Sequence, residues 1–152
     1  MSLLLRNLKD SYVVVVRRAS DAAARSLVRA RLEVQGDKNV PWGLRSRCLK
    51  GEADSMGYIE DICDQLTEIE SRIVEQLDAI PPTQRIEVSY EEFCENPQAF
   101  LALIETRIPG IQLRKSLIEA ELRPFQRSSS TALTPQEEQR VESCLKNQTA
   151  TQ

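Results

Sequence analysis

Four consecutive valines, Val13–Val16, are the feature that most restricts how this 152-residue chain can fold. A continuous β-branched run of this kind predicts a strand that is covered on both faces, as in a parallel sheet. Arg17 and Arg18 follow it directly, and Ser20 is placed to cap a helix that we expect to reach residue 34. A strand, a turn and a helix in this order are typical of an α/β protein.

Helices predominate in the rest of the chain. Leucine and isoleucine recur at steps of three and four residues over Ile59–Ile80 and predict the clearest helix. Apolar residues alternate over Ile86–Tyr90, which predicts a second short strand, and the pair Asn96 and Pro97 is typical of a helix start. The segment Thr134–Glu137 matches a capping box at the start of a last short helix.

Two further segments carry weaker patterns. Gly36–Gly57 lacks a regular apolar period, so we expect a long loop there with a short helix around Leu44–Leu49. Another helical stretch is expected near Leu113–Leu122, followed by a polar loop over Gln126–Thr131.

The composition is typical of a single water-soluble domain. Hydrophobic residues make up 41% and charged residues 28% of the chain, no stretch is apolar enough to span a membrane, and the first residues lack the pattern of a signal peptide. We therefore expect a cytoplasmic protein with one domain over residues 1–146 and a frayed tail over 147–152. The four cysteines are widely spaced and the chain has no histidine, so we expect reduced thiols and no metal site.

The segment Arg17–Arg31 contains five arginines and one acid, a local charge of +4 in a chain whose net charge is −3. Arginines just before a helix N-terminus are electrostatically unfavourable unless an anion lies among them. A phosphate held by Arg18, by free backbone N–H groups and by the hydroxyl of Ser26 would satisfy this arrangement. Alternatively, the arginines are solvated or pair with acidic residues of the helix over Ile59–Ile80. The charges alone leave both interpretations open.

The residues Val-Val-Val-Val-Arg-Arg-Ala-Ser-Asp-Ala-Ala-Ala-Arg-Ser-Leu, from Val13 to Leu27, resemble a segment of the sulfotransferases that use 3′-phosphoadenosine 5′-phosphosulfate. In that family an arginine after a strand and a serine eight positions later bind the 3′-phosphate of the cofactor. The resemblance implies this role for Arg18 and Ser26. One departure is Ser20, which stands where the family commonly has a proline.

A second segment strengthens the resemblance. Arg85–Pro97 is similar to the family's strand that ends in Tyr-Glu-Asp-Leu before an Asn/Asp-Pro helix start, with Glu92 and Phe93 in place of Asp and Leu. This similarity implies that Tyr90 lies near the adenine of the cofactor. The sequence Phe-Gln-Arg that ends at Arg127 is weakly similar to a cofactor-binding Phe-x-Arg of the family, which implies a second phosphate contact for Arg127.

The resemblance implies a partial P-loop-like parallel sheet of the sulfotransferase type, helix-rich, flanked by helices and lacking the N-terminal strand. The phosphosulfate-binding loop of the family has no counterpart in the sequence, and no histidine is present to act as a base. We therefore expect an incomplete domain with no catalytic residue and no activity on its own. Such a domain would need an N-terminal partner segment or a second copy of itself to cover its apolar surface.

The expected function is that of a sulfotransferase-like protein. In the complete family domain a sulfuryl group passes from the cofactor to an acceptor hydroxyl or amine, whereas here the 3′-phosphate and adenine half of the site would remain, binding the cofactor or adenosine 3′,5′-bisphosphate. The alternative is a non-enzymatic interaction module whose apolar helix packs against another protein. A nucleic-acid-binding helix over Arg17–Arg31 is disfavoured by the acidic net charge and the lack of interleaved aromatic residues.

Overall fold

Helices predominate among the described residues, and two short strands there form a sheet. The computed structural model describes residues 11–43, 57–114, 116, 122–126 and 132–149. In chain order its elements are β1 (Val13–Arg17), α1 (Ser20–Gln35), α2 (Tyr58–Asp78), β2 (Arg85–Ser89), α3 (Tyr90–Glu95), α4 (Pro97–Arg107) and α5 (Pro135–Thr149). A 3₁₀ turn over Pro82–Gln84 leads into β2.

The chain divides into two compact units. The first, which we call the sheet unit, comprises Met1–Arg18 and Val74–Ser128 and contains β1, β2, α3, α4 and the end of α2. The second, which we call the helical unit, comprises Ala19–Ile73 and Ser129–Gln152 and contains α1, α5 and most of α2. Each unit has buried apolar residues of its own.

The sheet unit contains a parallel pair of strands, in which Arg17 of β1 lies opposite Ser89 of β2. Val15 is buried, whereas Val14 is 39% and Val16 is 51% exposed. Because side chains alternate along a strand, one face of β1 is covered and the other faces solvent. The prediction of a strand covered on both faces is therefore wrong. The helices α3 and α4 pack against β2, the partner strand.

Side-chain caps start both of the helices that pack against β2. Ser89 caps α3, because its Oγ accepts a hydrogen bond from the N–H of Glu92 at 3.3 Å. Asn96 caps α4, because its Oδ1 accepts from the N–H of Ala99 at 3.0 Å, and Pro97 is the first helical residue. This confirms the helix start predicted at Asn96. The buried apolar residues of the sheet unit include Val15, Leu77, Ile80, Ile86 and Cys94.

The helical unit has a core to which α1, α2 and α5 contribute. The long helix predicted over Ile59–Ile80 is confirmed as α2. The capping box is also confirmed, since the Glu137 N–H donates to Thr134 Oγ1 at 3.3 Å and the Thr134 N–H donates to the Glu137 carboxylate at 2.8 Å. At the start of α1, however, Ala19 is the N-cap and Ser20 is already helical, so the predicted Ser20 cap is wrong. The core cluster contains Ala24, Val28, Ile59, Ile62, Cys63, Leu133 and Val141.

The α/β class expected from the sequence is confirmed in a loose form, as a parallel strand pair flanked by helices. The short helix predicted around Leu44–Leu49 lies outside the described residues, and so does most of the stretch predicted near Leu113–Leu122. α5 continues to Thr149, into the segment where the sequence predicts a frayed tail. Within the described part of the chain, every helix is too short or too polar to cross a lipid bilayer.

Candidate anion-binding site

Parallel pairing brings the two predicted cofactor-binding segments to the same edge of the sheet. Arg17 and Ser89 are the last residues of their strands and lie opposite each other, so β1 and β2 end at the same level. The next residues are Arg18 and Tyr90, both in the sheet unit. In open α/β sheets, ligands bind outside this carboxyl edge of the strands. Arg18 and Tyr90 therefore occupy the position where a ligand is expected.

Arg18 lies over the ring of Tyr90. The central carbon of its guanidinium group is 4.8 Å from the ring centre, which is a cation–π contact. Its Nε atom is buried and has no hydrogen-bond partner. A buried donor left unsatisfied costs ~1–3 kcal/mol, and native proteins contain few of them. The sheet edge thus carries a charged donor that a bound anion would satisfy.

The other four arginines of the run Arg17–Arg31 pair with carboxylates. The pairs are Arg17–Glu87 at 3.1 Å, Arg25–Asp21 at 2.7 Å, Arg25–Glu138 at 3.2 Å, Arg29–Glu33 at 2.6 Å and Arg31–Asp61. Three of these arginines pair with acids outside the helix over Ile59–Ile80, so the predicted pairing with that helix is not the one they form. For Arg31 the alternative interpretation is confirmed, since Arg31 pairs with Asp61 of α2. Arg18 has no carboxylate partner among the described residues, which leaves it available for a ligand.

Tyr90 is half-buried and is the first residue of α3. The thiol of Cys94, one turn further along α3, raises the pKa of the Tyr90 hydroxyl, and the charge of Arg18 acts in the opposite direction. The phenol is therefore neutral near pH 7. A neutral phenol keeps its O–H as a donor and presents an electron-rich ring face to Arg18.

The two remaining predicted site residues are not part of this contact. Ser26 is exposed on α1, in the helical unit. Arg127 lies outside the described residues. Among the residues that are described, no group of three cysteine or acidic side chains could hold a metal ion. The structure thus brings together Arg18 and Tyr90 of the four predicted residues.

Sequence reasoning missed an aromatic cluster in the sheet unit. Phe93 stacks on Phe125 with ring centres 5.4 Å apart, and it meets Phe100 edge to face at 5.1 Å. The N–H of Phe125 donates to the carbonyl of Cys94 at 2.8 Å, which ties the segment before Arg127 to α3. The sequence did contain a signal for this cluster, because all three phenylalanines of the chain lie between residues 93 and 125.

Comparison with known proteins adds no relative. No protein-family model, no curated protein and no solved structure matches the chain. The candidate site therefore depends on the geometry of Arg18 and Tyr90 and on the resemblance of short sequence segments.

Proposed function

We propose that this protein binds an adenine nucleotide with a 3′-phosphate, through Arg18 and Tyr90 at the carboxyl edge of the sheet. The ligand is 3′-phosphoadenosine 5′-phosphosulfate or adenosine 3′,5′-bisphosphate, and the protein is sulfotransferase-like with a P-loop-like sheet. The observation that carries the proposal is the buried Nε of Arg18, which lacks a partner in a run whose other arginines are ion-paired.

A phosphate is the ligand that best satisfies Arg18. The guanidinium group presents its N–H donors in a planar fork that matches two oxygens of a phosphate, and charge-assisted bonds of this kind are about twice as strong as neutral ones. The Tyr90 ring holds the guanidinium group from one side, which restricts its motion before a ligand arrives. Because Arg18 is held in place, less side-chain entropy is lost when the phosphate binds.

Tyr90 is the proposed adenine neighbour, as the resemblance implies. One face of its ring is in contact with Arg18. The adenine would therefore approach the opposite face or the ring edge, where aromatic stacking and a hydrogen bond from the hydroxyl are available. A single tyrosine would in this way connect the phosphate end and the base end of the nucleotide.

The proposal concerns nucleotide binding and assigns no residue of this chain to sulfuryl transfer. In the family, the sulfuryl group passes to an acceptor hydroxyl or amine. The roles of Ser26 and Arg127 rest on the resemblance alone. A cytoplasmic location is part of the proposal, because Cys63, Cys94 and Cys144 are free thiols, as is usual in a reducing compartment.

A non-enzymatic interaction module is the second candidate function. Two observations favour it. Val14 and Val16 leave one face of β1 exposed, and most arginines of the charge run already have partners within the chain. An exposed apolar strand face is typical of a surface that another protein, or a second copy of this chain, covers. This candidate predicts no preference for a 3′-phosphorylated nucleotide.

Calorimetric titration of the whole chain with adenosine 3′,5′-bisphosphate, and separately with AMP, distinguishes the two candidates. We expect the bisphosphate to bind at least about tenfold more tightly, because its 3′-phosphate adds charge-assisted hydrogen bonds. The Arg18→Ala variant should remove that preference. Arg17→Ala is the matched control, since Arg17 is the adjacent arginine and is paired with Glu87.

Equal affinity for the two nucleotides would contradict the proposal, and so would an equal loss in both arginine variants. The absence of any binding at millimolar bisphosphate would favour the interaction module. Ser26→Ala is titrated separately, because a loss in that variant supports the resemblance-based role of Ser26 while an unchanged affinity removes Ser26 from the site.

A further inference from the structure

A cavity of about 310 Å³ opens to solvent in the sheet unit, between β2, α3 and α4. Apolar side chains form most of its wall, namely Val88, Phe93, Ala99, Phe100 and Leu103. Its volume is at the lower end of the range for small-molecule sites.

Two phenylalanines give the cavity a fixed aromatic wall. Phe100 meets Phe93 edge to face, with ring centres 5.1 Å apart, and Phe93 is held on its other side by stacking on Phe125 at 5.4 Å. Because the three rings support one another, the wall keeps its orientation without a ligand. An aromatic or branched aliphatic group would pack against it.

Glu92 is the charged residue among the described residues that line the cavity. Its backbone is fixed, since its N–H donates to Ser89 Oγ at 3.3 Å and its carbonyl accepts from the Asn96 N–H at 2.8 Å. Its exposed carboxylate forms no ion pair with a lysine or arginine of the described residues. The adjacent Glu91 differs, because its carboxylate accepts a hydrogen bond from the Ser89 hydroxyl at 3.1 Å. Glu92 thus offers a negative charge to a ligand.

We propose that this cavity binds a small organic cation, an amine carried on an aromatic or branched aliphatic group. The apolar part fills the space between the phenylalanines and Leu103, and the ammonium group pairs with Glu92. Asn96 also lines the cavity, and because its Oδ1 caps α4, its side-chain N–H groups are the donors it can offer to a hydroxyl or ether oxygen of the ligand. At the packing density of proteins, the cavity holds about ten to fifteen non-hydrogen atoms.

The chemistry of the wall selects a cation over a neutral or anionic ligand of the same shape. The Glu92 carboxylate attracts an ammonium group and repels a carboxylate or phosphate. The site is separate from the proposed nucleotide site, since neither Arg18 nor Tyr90 lines the cavity. The inference therefore holds or fails independently of nucleotide binding.

The test is a titration of the ¹⁵N-labelled whole chain at pH 7, followed by amide chemical shifts, with three probes that share a 2-phenylethyl group. These are 2-phenylethylamine, 2-phenylethanol and 3-phenylpropanoate, which are a cation, a neutral molecule and an anion. We expect the amine to bind about tenfold more tightly than the alcohol, as for one added ion pair in a partly desolvated site, and the anion to bind least. The shifted amides should lie in α3 and α4.

Matched variants separate the role of the charge from that of the fold. Glu92→Gln should remove the preference for the amine, whereas Glu91→Gln should keep it. Ala99→Leu fills the cavity and should weaken all three probes, while Arg18→Ala should leave amine binding unchanged. Equal affinity for amine and alcohol, equal loss in both glutamate variants, loss in Arg18→Ala, or no shift at millimolar amine would each overturn the inference.

Discussion

Arg31 and Asp61 form a buried ion pair whose disruption should strongly destabilise the helical unit. The Arg31 side chain is 1% exposed and that of Asp61 is 16% exposed, and the pair joins α1 to α2. A second contact of Arg31 is a long hydrogen bond of 3.4 Å from its Nη1 to the carbonyl of Lys38, and its Nε has no partner. Asp61 is therefore the main compensation for the buried charge of Arg31.

The Asp61→Ala variant removes that compensation and leaves the guanidinium group buried. Removing one partner of a buried pair costs ~3–5 kcal/mol. Asp61 retains some contact with water, so we expect the lower end of this range, about 3 kcal/mol. In a chain of this length each kcal/mol lowers Tm by ~2–4 °C, which corresponds to a decrease of about 10 °C.

Urea unfolding followed by circular dichroism measures this loss. The matched control is Glu33→Ala, which breaks the exposed pair between Arg29 and Glu33 on the same helix and should cost less than ~0.5 kcal/mol. The double variant Arg31→Met, Asp61→Leu removes both charges and should regain most of the stability. A cost for Asp61→Ala no larger than that for Glu33→Ala would refute the reasoning, as would a double variant no more stable than Asp61→Ala.

Three further predictions follow from local contacts. Lys38 holds the pKa of Glu137 at about 2, below its ordinary 4.5, so Glu137 contributes stability above pH 4.5 that is lost as the pH falls towards 2. The Tm difference between the wild-type protein and Glu137→Gln should shrink over that range, and a constant difference would contradict this. Gly36 ends α1 with a φ of 74°, a conformation that glycine adopts most easily and asparagine more easily than alanine. Gly36→Ala should therefore lower the free energy of unfolding in urea by ~1 kcal/mol and Gly36→Asn by less. Equal losses would exclude a conformational cause. Burial raises the pKa of the Cys63 thiol, so mass spectrometry after thiol labelling should find half-buried Cys144 modified before Cys63. Faster labelling of Cys63 than of Cys144 would disprove the burial of Cys63.

Local signals predicted those parts of the fold that local chemistry determines. The apolar period of α2, the Asn96 cap and the Thr134 capping box each depend on residues a few positions apart, and all three were correct. The exposure of Val14 and Val16 was not predictable in this way. A strand's cover is supplied by elements distant in sequence, so four valines alone do not indicate how many faces are buried.

In the candidate site, too, local sequence patterns were predictable and contacts between distant segments were not. The sequence segments around Arg18 and Tyr90 were identified separately, and the parallel register then explains why two residues seventy-two positions apart meet. Which arginines pair with acids was beyond sequence reasoning. Arg17 finds its partner on β2 and Arg25 finds one of its partners on α5, so the partners become neighbours only in the folded chain.

The adjacent arginines Arg17 and Arg18 have different physical roles because their side chains meet different partners. Arg17 shares a face with Glu87 and forms an ion pair, whereas Arg18, one residue later, meets Tyr90 and keeps its Nε unsatisfied. Arg17→Ala should therefore lower stability by ~0.2–1 kcal/mol, the value of an exposed pair, without changing nucleotide affinity.

Arg18→Met should do the opposite. The variant loses a cation–π contact of ~0.5–1 kcal/mol, but it also removes a buried unsatisfied donor that costs ~1–3 kcal/mol. Tm should therefore stay the same or rise. The preference for the bisphosphate should disappear. A residue that lowers the stability of the free protein and is needed only when a ligand is present is typical of a binding site. Thermal unfolding and calorimetry on this one variant test both halves of the argument, and a clear fall in Tm would show that Arg18 serves the fold.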